Sequence, residues 1–347
     1  MQENITPITS EQISQPKKST LGHWVAIIII LVLLGVSALM NIGLIAMLAA
    51  ENMGSDDSSS KYTEELIKGS GKKKVVCIEA FGVISLSKTS SGLFQEQGLA
   101  TRIIKQIDEA EKDDNVIAIL LLVDSPGGGV TASDIIYERL LKFKKSKEGR
   151  KIVALFRDVA ASGGYYISAA ADKIVAHRTT ITGSIGVILS SINVKGLGDK
   201  IGVRDVTIKS GKYKDLLNPF RDASPEELEM LQDVVNDLYN RFVSIVSRSR
   251  GLSVADVKKF ANGSIFCAPR ALTLGLIDEI GGFDSTVDLL KELTGTKKFK
   301  VVRYKKAMPF LEMLMSGMSV NPKIDLPFPD RWKSQSPGFK YLWQPEL

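Results

Sequence analysis

The sequence predicts an α/β fold with a mostly parallel sheet, and three observations carry that prediction. Val116 to Val123 is an unbroken apolar run, as a strand buried on both faces requires. It stops at Asp124-Ser125-Pro126-Gly127-Gly128-Gly129, a helical pattern follows from Asp134 to about Lys145, and Ile152 to Phe156 is strand-like again. Strand, glycine loop, helix and strand is the rhythm of βαβ units. Ligands of such sheets sit at the carboxyl ends of strands, where this loop and the glycine-rich stretch after Val159 both fall.

The chain has 347 residues, enough for a large core, and a net charge of +6 spread along its length. No compact basic stripe alternates with aromatic residues, so nucleic acid is not an expected partner. Residues 1–22 are polar and read as a disordered tail. Trp24 to Ala50 holds no charged residue and is about twice as long as the core of a cleaved signal peptide, which predicts an uncleaved anchor over 23–50. Lys17 and Lys18 precede the span, so the N-terminus is expected in the cytoplasm and the main body outside.

Residues 51–74 read as a flexible stalk, with ordered structure from Val75-Val76-Cys77-Ile78. Leu99, Ile103, Ile107 and Ala110 recur at helical spacing. Ile174–Ala176 and Val203–Lys209 read as further strands. The next helix is the clearest element: Ser224 is an N-cap, Pro225 fits the first helical position, Glu227 completes a capping box and Gly251 ends it. Its stripe of Leu228, Leu231, Val235, Leu238, Phe242 and Ile245 is expected to pack in the core or on another subunit. Short helices are expected near Ala255–Phe260 and Ser285–Thr294. From 301 to 347 the chain is Pro-rich and irregular, although Phe339, Tyr341 and Trp343 argue that parts of it dock on something. Cys77 and Cys267 are expected to be buried free thiols.

Val159-Ala160-Ala161-Ser162-Gly163-Gly164-Tyr165-Tyr166-Ile167-Ser168 is the stretch that carries chemistry. Ser162 has only small neighbours, and the glycines allow a sharp strand-to-helix turn that brings amide N–H groups to a bound carbonyl. The same pattern also serves as small-residue packing in a turn. For a nucleophile, Gly163 supplies one oxyanion donor and the 127–129 loop another, with Gly128 the choice within the loop on local grounds. The base is harder to place. Of the two histidines, His23 lies at the anchor and His177 reads as a surface residue. A lysine remains, and Tyr213 and Leu216-Leu217 give Lys214 apolar surroundings that could lower a pKa of about 10.4. Spacing alone does not choose it over other lysines.

Asp124–Val130, Val159–Ser168, Thr182-Gly183-Ser184-Ile185-Gly186-Val187, Gly211-Lys212-Tyr213-Lys214-Asp215 and Ala271–Gly282 come in a fixed order. In that order and approximate spacing the chain resembles the short, single-repeat bacterial form of signal peptide peptidase A. That serine–lysine protease family lies within the Clp-protease/crotonase-like superfamily. The resemblance covers about residues 75–300 and implies a peptidase domain there. It implies Ser162 as nucleophile, Lys214 as general base and Ser184 as the residue that orients the lysine amine. Asp124 is expected to shape its loop, and Tyr165 and Tyr166 to pack. The implied substrates are remnant signal peptides and other apolar peptides, with no cofactor or metal required. A ring-like homo-oligomer is also implied, with Ser162 and Lys214 contributed by adjacent subunits. The rival readings are a non-enzymatic membrane scaffold and a crotonase-like acyl-CoA enzyme, which would use the glycine amides but neither Ser162 nor Lys214.

Overall fold

The structure is a computed structural model that describes residues 21–53, 62–87, 89–91, 94–306 and 339–343. It divides into two compact units, Met1–Ser59 and Ser60–Leu347. In the first, helix α1 (Leu21–Met53) includes Trp24–Gly43, a 20-residue window of mean hydropathy 2.8 that is long and apolar enough to cross a bilayer. The expected tail lies outside the described residues up to position 20, as does the stalk over 54–61.

The second unit begins with β1 (Tyr62–Gly69) and β2 (Lys73–Phe81), then a small ribbon of β3 (Thr89–Ser91) and β4 (Phe94–Glu96). Helix α2 (Leu99–Lys112), β5 (Val116–Ser125), β6 (Gly127–Gly129), α3 (Val130–Ser146), β7 (Lys151–Ala161) and α4 (Gly163–Ser168) follow the βαβ rhythm. Next come β8 (Lys173–Ala176), β9 (Ile181–Gly183), α5 (Lys195–Ile201), α6 (Pro225–Arg250) and α7 (Val254–Phe260). The last elements are β10 (Ile265–Cys267), α8 (Ala268–Thr273), β11 (Glu279–Ile280), α9 (Phe283–Thr294), β12 (Phe299–Lys306) and β13 (Lys340–Leu342).

One nine-stranded sheet runs β1-β12-β2-β5-β7-β8-β11, with β9 paired to β7 and β10. All pairs from β12 to β11 are parallel; β1 on β12 and β10 on β9 are antiparallel. Strand β5 shows why its sequence is apolar throughout. Ile119, Leu121 and Val123 face one core with α2, α3 and α6, whereas Ala118 and Leu120 face a second core with α9. The capping box at Ser224 and Glu227 is present, and Gly251 closes α6 in the left-handed conformation.

Several expectations need correction. Residues 62–69, assigned to the stalk, form an edge strand whose Glu64 and Glu65 pair with Lys74, Arg303 and Lys305. Its outward charges look like linker composition, yet they suit a solvated sheet edge. Strand β12 continues through Lys306, past the expected end of the domain at 300. Val203–Lys209 is not a strand: no neighbouring strand edge takes its amides, and Val206 and Ile208 are 86% and 98% exposed. The apolar stripe of α6 is buried at Phe242 and Ile245, but Leu228 at its other end is exposed.

Both cysteines are free, but only Cys77 is buried; Cys267 ends an outer strand and is exposed. Burial pushes the Cys77 thiol up to about 12, so at pH 8 its thiolate fraction is about 10⁻⁴. A disulfide-exchange reagent at pH 8 is therefore expected to titrate one thiol per chain quickly and the second only in denaturant. A Cys267→Ser variant should lose the fast phase.

Candidate active site

Strands β5 and β7 lie side by side, and both end at the same edge of the sheet. Strand β5 gives way to Pro126 and the glycines of β6; β7 gives way directly to Ser162 and α4. Ser162 has φ 53° and ψ −114°, a conformation that side chains rarely adopt, and it is buried. Two backbone bonds hold it there. Its N–H donates to the Gly183 carbonyl at 2.8 Å, and its own carbonyl accepts the Tyr166 N–H at 2.8 Å. Asp124 accepts the Val159 N–H at 3.2 Å, which ties the end of β5 to β7 as a loop-shaping residue should.

The two glycine segments meet closely. A methyl group on Gly163 would sit 2.7 Å from Ser133 Oγ and 3.1 Å from the Gly128 nitrogen, so only glycine fits. Gly127, at φ +105°, has the Gly163 nitrogen 2.7 Å from where its own methyl would be. The amides of Gly128 and Gly163 therefore share one small space beside Ser162. Ser184, also at positive φ (49°), follows Gly183 and is held by its N–H to the Ser264 carbonyl at 2.7 Å. Four of the five expected site residues are thus brought together.

Lys214 is the exception. It lies in the 210–217 turns, exposed, and among the described residues its amine makes no hydrogen bond or ion pair. Lys209 and Lys212, beside it in sequence, are tied to Asp215 and Glu226. His177 is exposed at the end of β8, as expected.

Strand β13 occupies the site. It runs antiparallel to β6 in the register Lys340 to Gly129, Tyr341 to Gly128 and Leu342 to Gly127. Bonds from Val130 N–H to Phe339 and from Trp343 N–H to Pro126 bracket the Tyr341–Gly128 pair. Ladder alternation makes that pair hydrogen-bonded as well, so the Gly128 N–H points at the Tyr341 carbonyl. The same carbonyl oxygen lies 2.0 Å from where a Gly127 methyl would be. On its other edge, Lys340 exchanges backbone bonds of 3.0 and 3.1 Å with Ile188.

The Tyr341 ring is fully buried, stacked on Tyr166 with centroids 4.8 Å apart and packed against Phe242 at 4.8 Å. Its hydroxyl donates to the Leu238 carbonyl at 3.0 Å. Behind it, the Tyr166 hydroxyl donates to Asp134 at 2.5 Å, and Arg241 bonds the same carboxylate at 2.6 and 2.9 Å. Burial, with the Asp134 carboxylate beside it, pushes the Tyr166 phenol up and keeps it protonated. Sequence reasoning treated Tyr166 as packing and missed Asp134, Leu238, Arg241 and Phe242 as a pocket. The signal was the group of aromatic residues, Phe339, Tyr341 and Trp343, in an otherwise Pro-rich tail.

The description of peptidase family S49 matches residues 144–297, and that of Clp protease matches residues 90–194. A protein of Enterococcus faecium named as a signal peptide peptidase SppA is 39% identical over 248 residues, covering 71% of this chain and 72% of its own length. The chain belongs to peptidase family S49, with signal peptide peptidase A. A Synechocystis protein named as a protease is 40% identical to this peptidase over 234 residues, 67% of this chain and 79% of its own. A ClpP1 variant of Listeria monocytogenes matches 60% of this chain and 92% of its own, at 18% identity and a TM-score of 0.40. Membership makes the protein a serine peptidase, on an α/β fold with a mostly parallel, Clp-protease-like sheet.

Gly163→Ala tests the meeting of the glycine amides. The methyl would close the gap between them, and loss of one oxyanion donor typically costs about 10²–10³ in kcat. The variant is expected to keep its circular dichroism spectrum and lose peptidase activity by that factor. Activity within about threefold of wild type would show that this space is not used.

Proposed function

We propose that this peptidase is a membrane-anchored endopeptidase that degrades remnant signal peptides and other apolar peptides with a Ser–Lys dyad. In this reading Ser162 is the nucleophile, Lys214 the general base, Ser184 the residue that orients the lysine amine, and Gly128 and Gly163 the oxyanion donors. The neutral Lys214 amine takes the Ser162 hydroxyl proton as Oγ bonds to the peptide carbonyl carbon. The amine then passes that proton to the leaving nitrogen as the C–N bond breaks. Water, giving its proton to the same amine, hydrolyses the ester and frees Ser162. The observation that carries this reading is a peptide carbonyl, that of Tyr341, lying against the Gly127–Gly128 backbone beside Ser162.

The dyad is completed by a neighbouring copy in a ring-like homo-oligomer. Two facts support sharing: Lys214 is exposed and its amine makes no hydrogen bond to Ser162 among the described residues, and its own segment leaves Val206 and Ile208 uncovered. A second copy would bury these side chains and give the amine the apolar surroundings that a lysine base needs. Helix α1 is the anchor, with Lys17 and Lys18 in the cytoplasm and the body outside. Residues 1–22 form the cytoplasmic tail, and the peptidase domain extends from the short stalk after the anchor to Lys306.

Mixed assembly provides the test. Ser162→Ala and Lys214→Ala chains are each expected to be inactive and to regain activity when co-assembled, because some interfaces then pair intact Ser162 with intact Lys214. No recovery in assemblies verified to be mixed would place both residues within one chain. A serine-reactive probe that labels wild type and Ser162→Ala alike would remove Ser162 as the nucleophile.

The tail strand supports a second element of the reading, that the chain's own C-terminus competes with substrate. A tethered strand acts at a high effective concentration, commonly in the millimolar range. Removing residues 307–347 is expected to raise the rate on a short peptide several-fold below saturation. An unchanged rate would mean that the strand does not occlude the site in solution.

A further inference from the structure

Among the described residues, three non-glycine residues have positive φ: Ser162, Ser184 and Leu217. Two stand in the site, and the third is three positions after Lys214. Such backbone is strained and persists only where its surroundings over-determine it. Two residues before Leu217, Asp215 is held by one side chain, Arg221.

The Arg221 guanidinium grips two carboxylates at once. Nε and Nη2 bond both oxygens of Asp215 at 2.8 and 2.9 Å, and Nη2 also reaches the Asp215 backbone carbonyl at 3.0 Å. Nη1 and Nη2 bond both oxygens of Glu227 at 2.8 and 2.6 Å. Glu227 is the capping-box residue of α6 and also accepts the Ser224 N–H at 2.8 Å. The side chains of Asp215 and Glu227 are only 9% and 4% exposed. Forked, charge-assisted bonds of this kind fix geometry as well as contact.

Hydrogen bonding to Arg221 holds the Glu227 carboxyl down to about 2 and Asp215 well below the usual range. The clamp therefore stays ionised at neutral pH. It ties the residue after Lys214 to the first turn of a 26-residue helix. Lys209 spends its amine on Asp215 and Lys212 on Glu226, which leaves Lys214 as the loop lysine with an unpaired amine among the described residues.

We propose that Arg221 is a positioning residue for this peptidase. Through Asp215 and Glu227 it fixes the 210–217 segment on α6 and so sets where the Lys214 amine is presented. The proposal rests on the reading of Lys214 as the general base.

Full-length, detergent-solubilised protein provides the test, with kcat and KM on a fluorogenic peptide and the rate of Ser162 labelling by a fluorophosphonate. Misplacing a catalytic group by about 1 Å can cost about 10²-fold. Arg221→Met is expected to lower kcat by about that factor with KM within about twofold, and Arg221→Lys, which keeps the charge but not the fork, to recover part of the loss. In a Lys214→Ala background, Arg221→Met should leave the residual labelling rate unchanged, because a residue acting only through Lys214 has nothing left to position.

An equal loss in both backgrounds would overturn the proposal in favour of a merely structural role, as would kcat within about twofold of wild type. Full activity of Lys214→Ala would remove the base reading itself and the proposal with it. If Arg221→Met does not assemble, the near-isosteric Asp215→Asn, which removes the charge that Arg221 holds, decides the question by the same comparison.

Discussion

The site depends on the backbone of Ser162, which ends a strand and starts a helix with no residue between. Its N–H extends the β7–β9 ladder through Gly183, and its carbonyl makes the first turn of α4 through Tyr166. A positive φ at a serine costs about 1–3 kcal/mol, so the neighbouring structure has to enforce it. The six-residue helix α4 does so by being pinned through both of its tyrosines. The Tyr165 hydroxyl bonds the Leu276 carbonyl and that of Tyr166 bonds Asp134, with both rings fully buried. With the turn fixed in this way, Gly163 lies against Gly127 and Gly128. In the proposed reading these amides are the oxyanion donors, and a fixed turn is what keeps such donors preorganised.

Much of this was legible in the sequence because it is local. Strand β5, the glycine turns, the stripe of α2 and the capping box of α6 each announce themselves within a few residues. The failures have physical causes. Strand β1 is an edge whose partners are charges on distant β2 and β12, so its composition matches that of a linker. Val203–Lys209 is rich in β-branched residues, Val203, Val206, Thr207 and Ile208, yet that composition only says that a ladder would suit it. The pocket around Tyr341 joins residues from α3, α4, α6 and the tail, and no local pattern encodes such a meeting.

Lys214 shows the same limit from the other side. Its neighbours in sequence suggested apolar surroundings, but Tyr213 is exposed and the lysine itself projects from the surface of a single chain. What the sequence could not show is the Arg221 clamp, which spends a buried pair of carboxylates on holding this loop to α6. A surface loop with no task would gain little from two forked ion pairs and a strained leucine. In the proposed reading the position of the Lys214 amine decides the reaction rate, which gives that arrangement a task.

The way β13 is bound also bears on what the peptidase can accept. Backbone bonds reach it from β6 on one edge and from Ile188 on the other, and in the proposed reading a substrate peptide would be aligned in the same way, through its main chain. Main-chain pairing of this kind supplies affinity without reading side chains, and the selective contact is the pocket that takes the Tyr341 ring. That pocket is lined by Tyr166 and Phe242, and the ring hydroxyl donates to the Leu238 backbone carbonyl. Apolar rings and chains can fill the same walls by burial alone, at about 25 cal/mol for each Å² removed from water. The proposed substrates, varied apolar segments, would call for that combination: alignment through the backbone and a mostly apolar pocket.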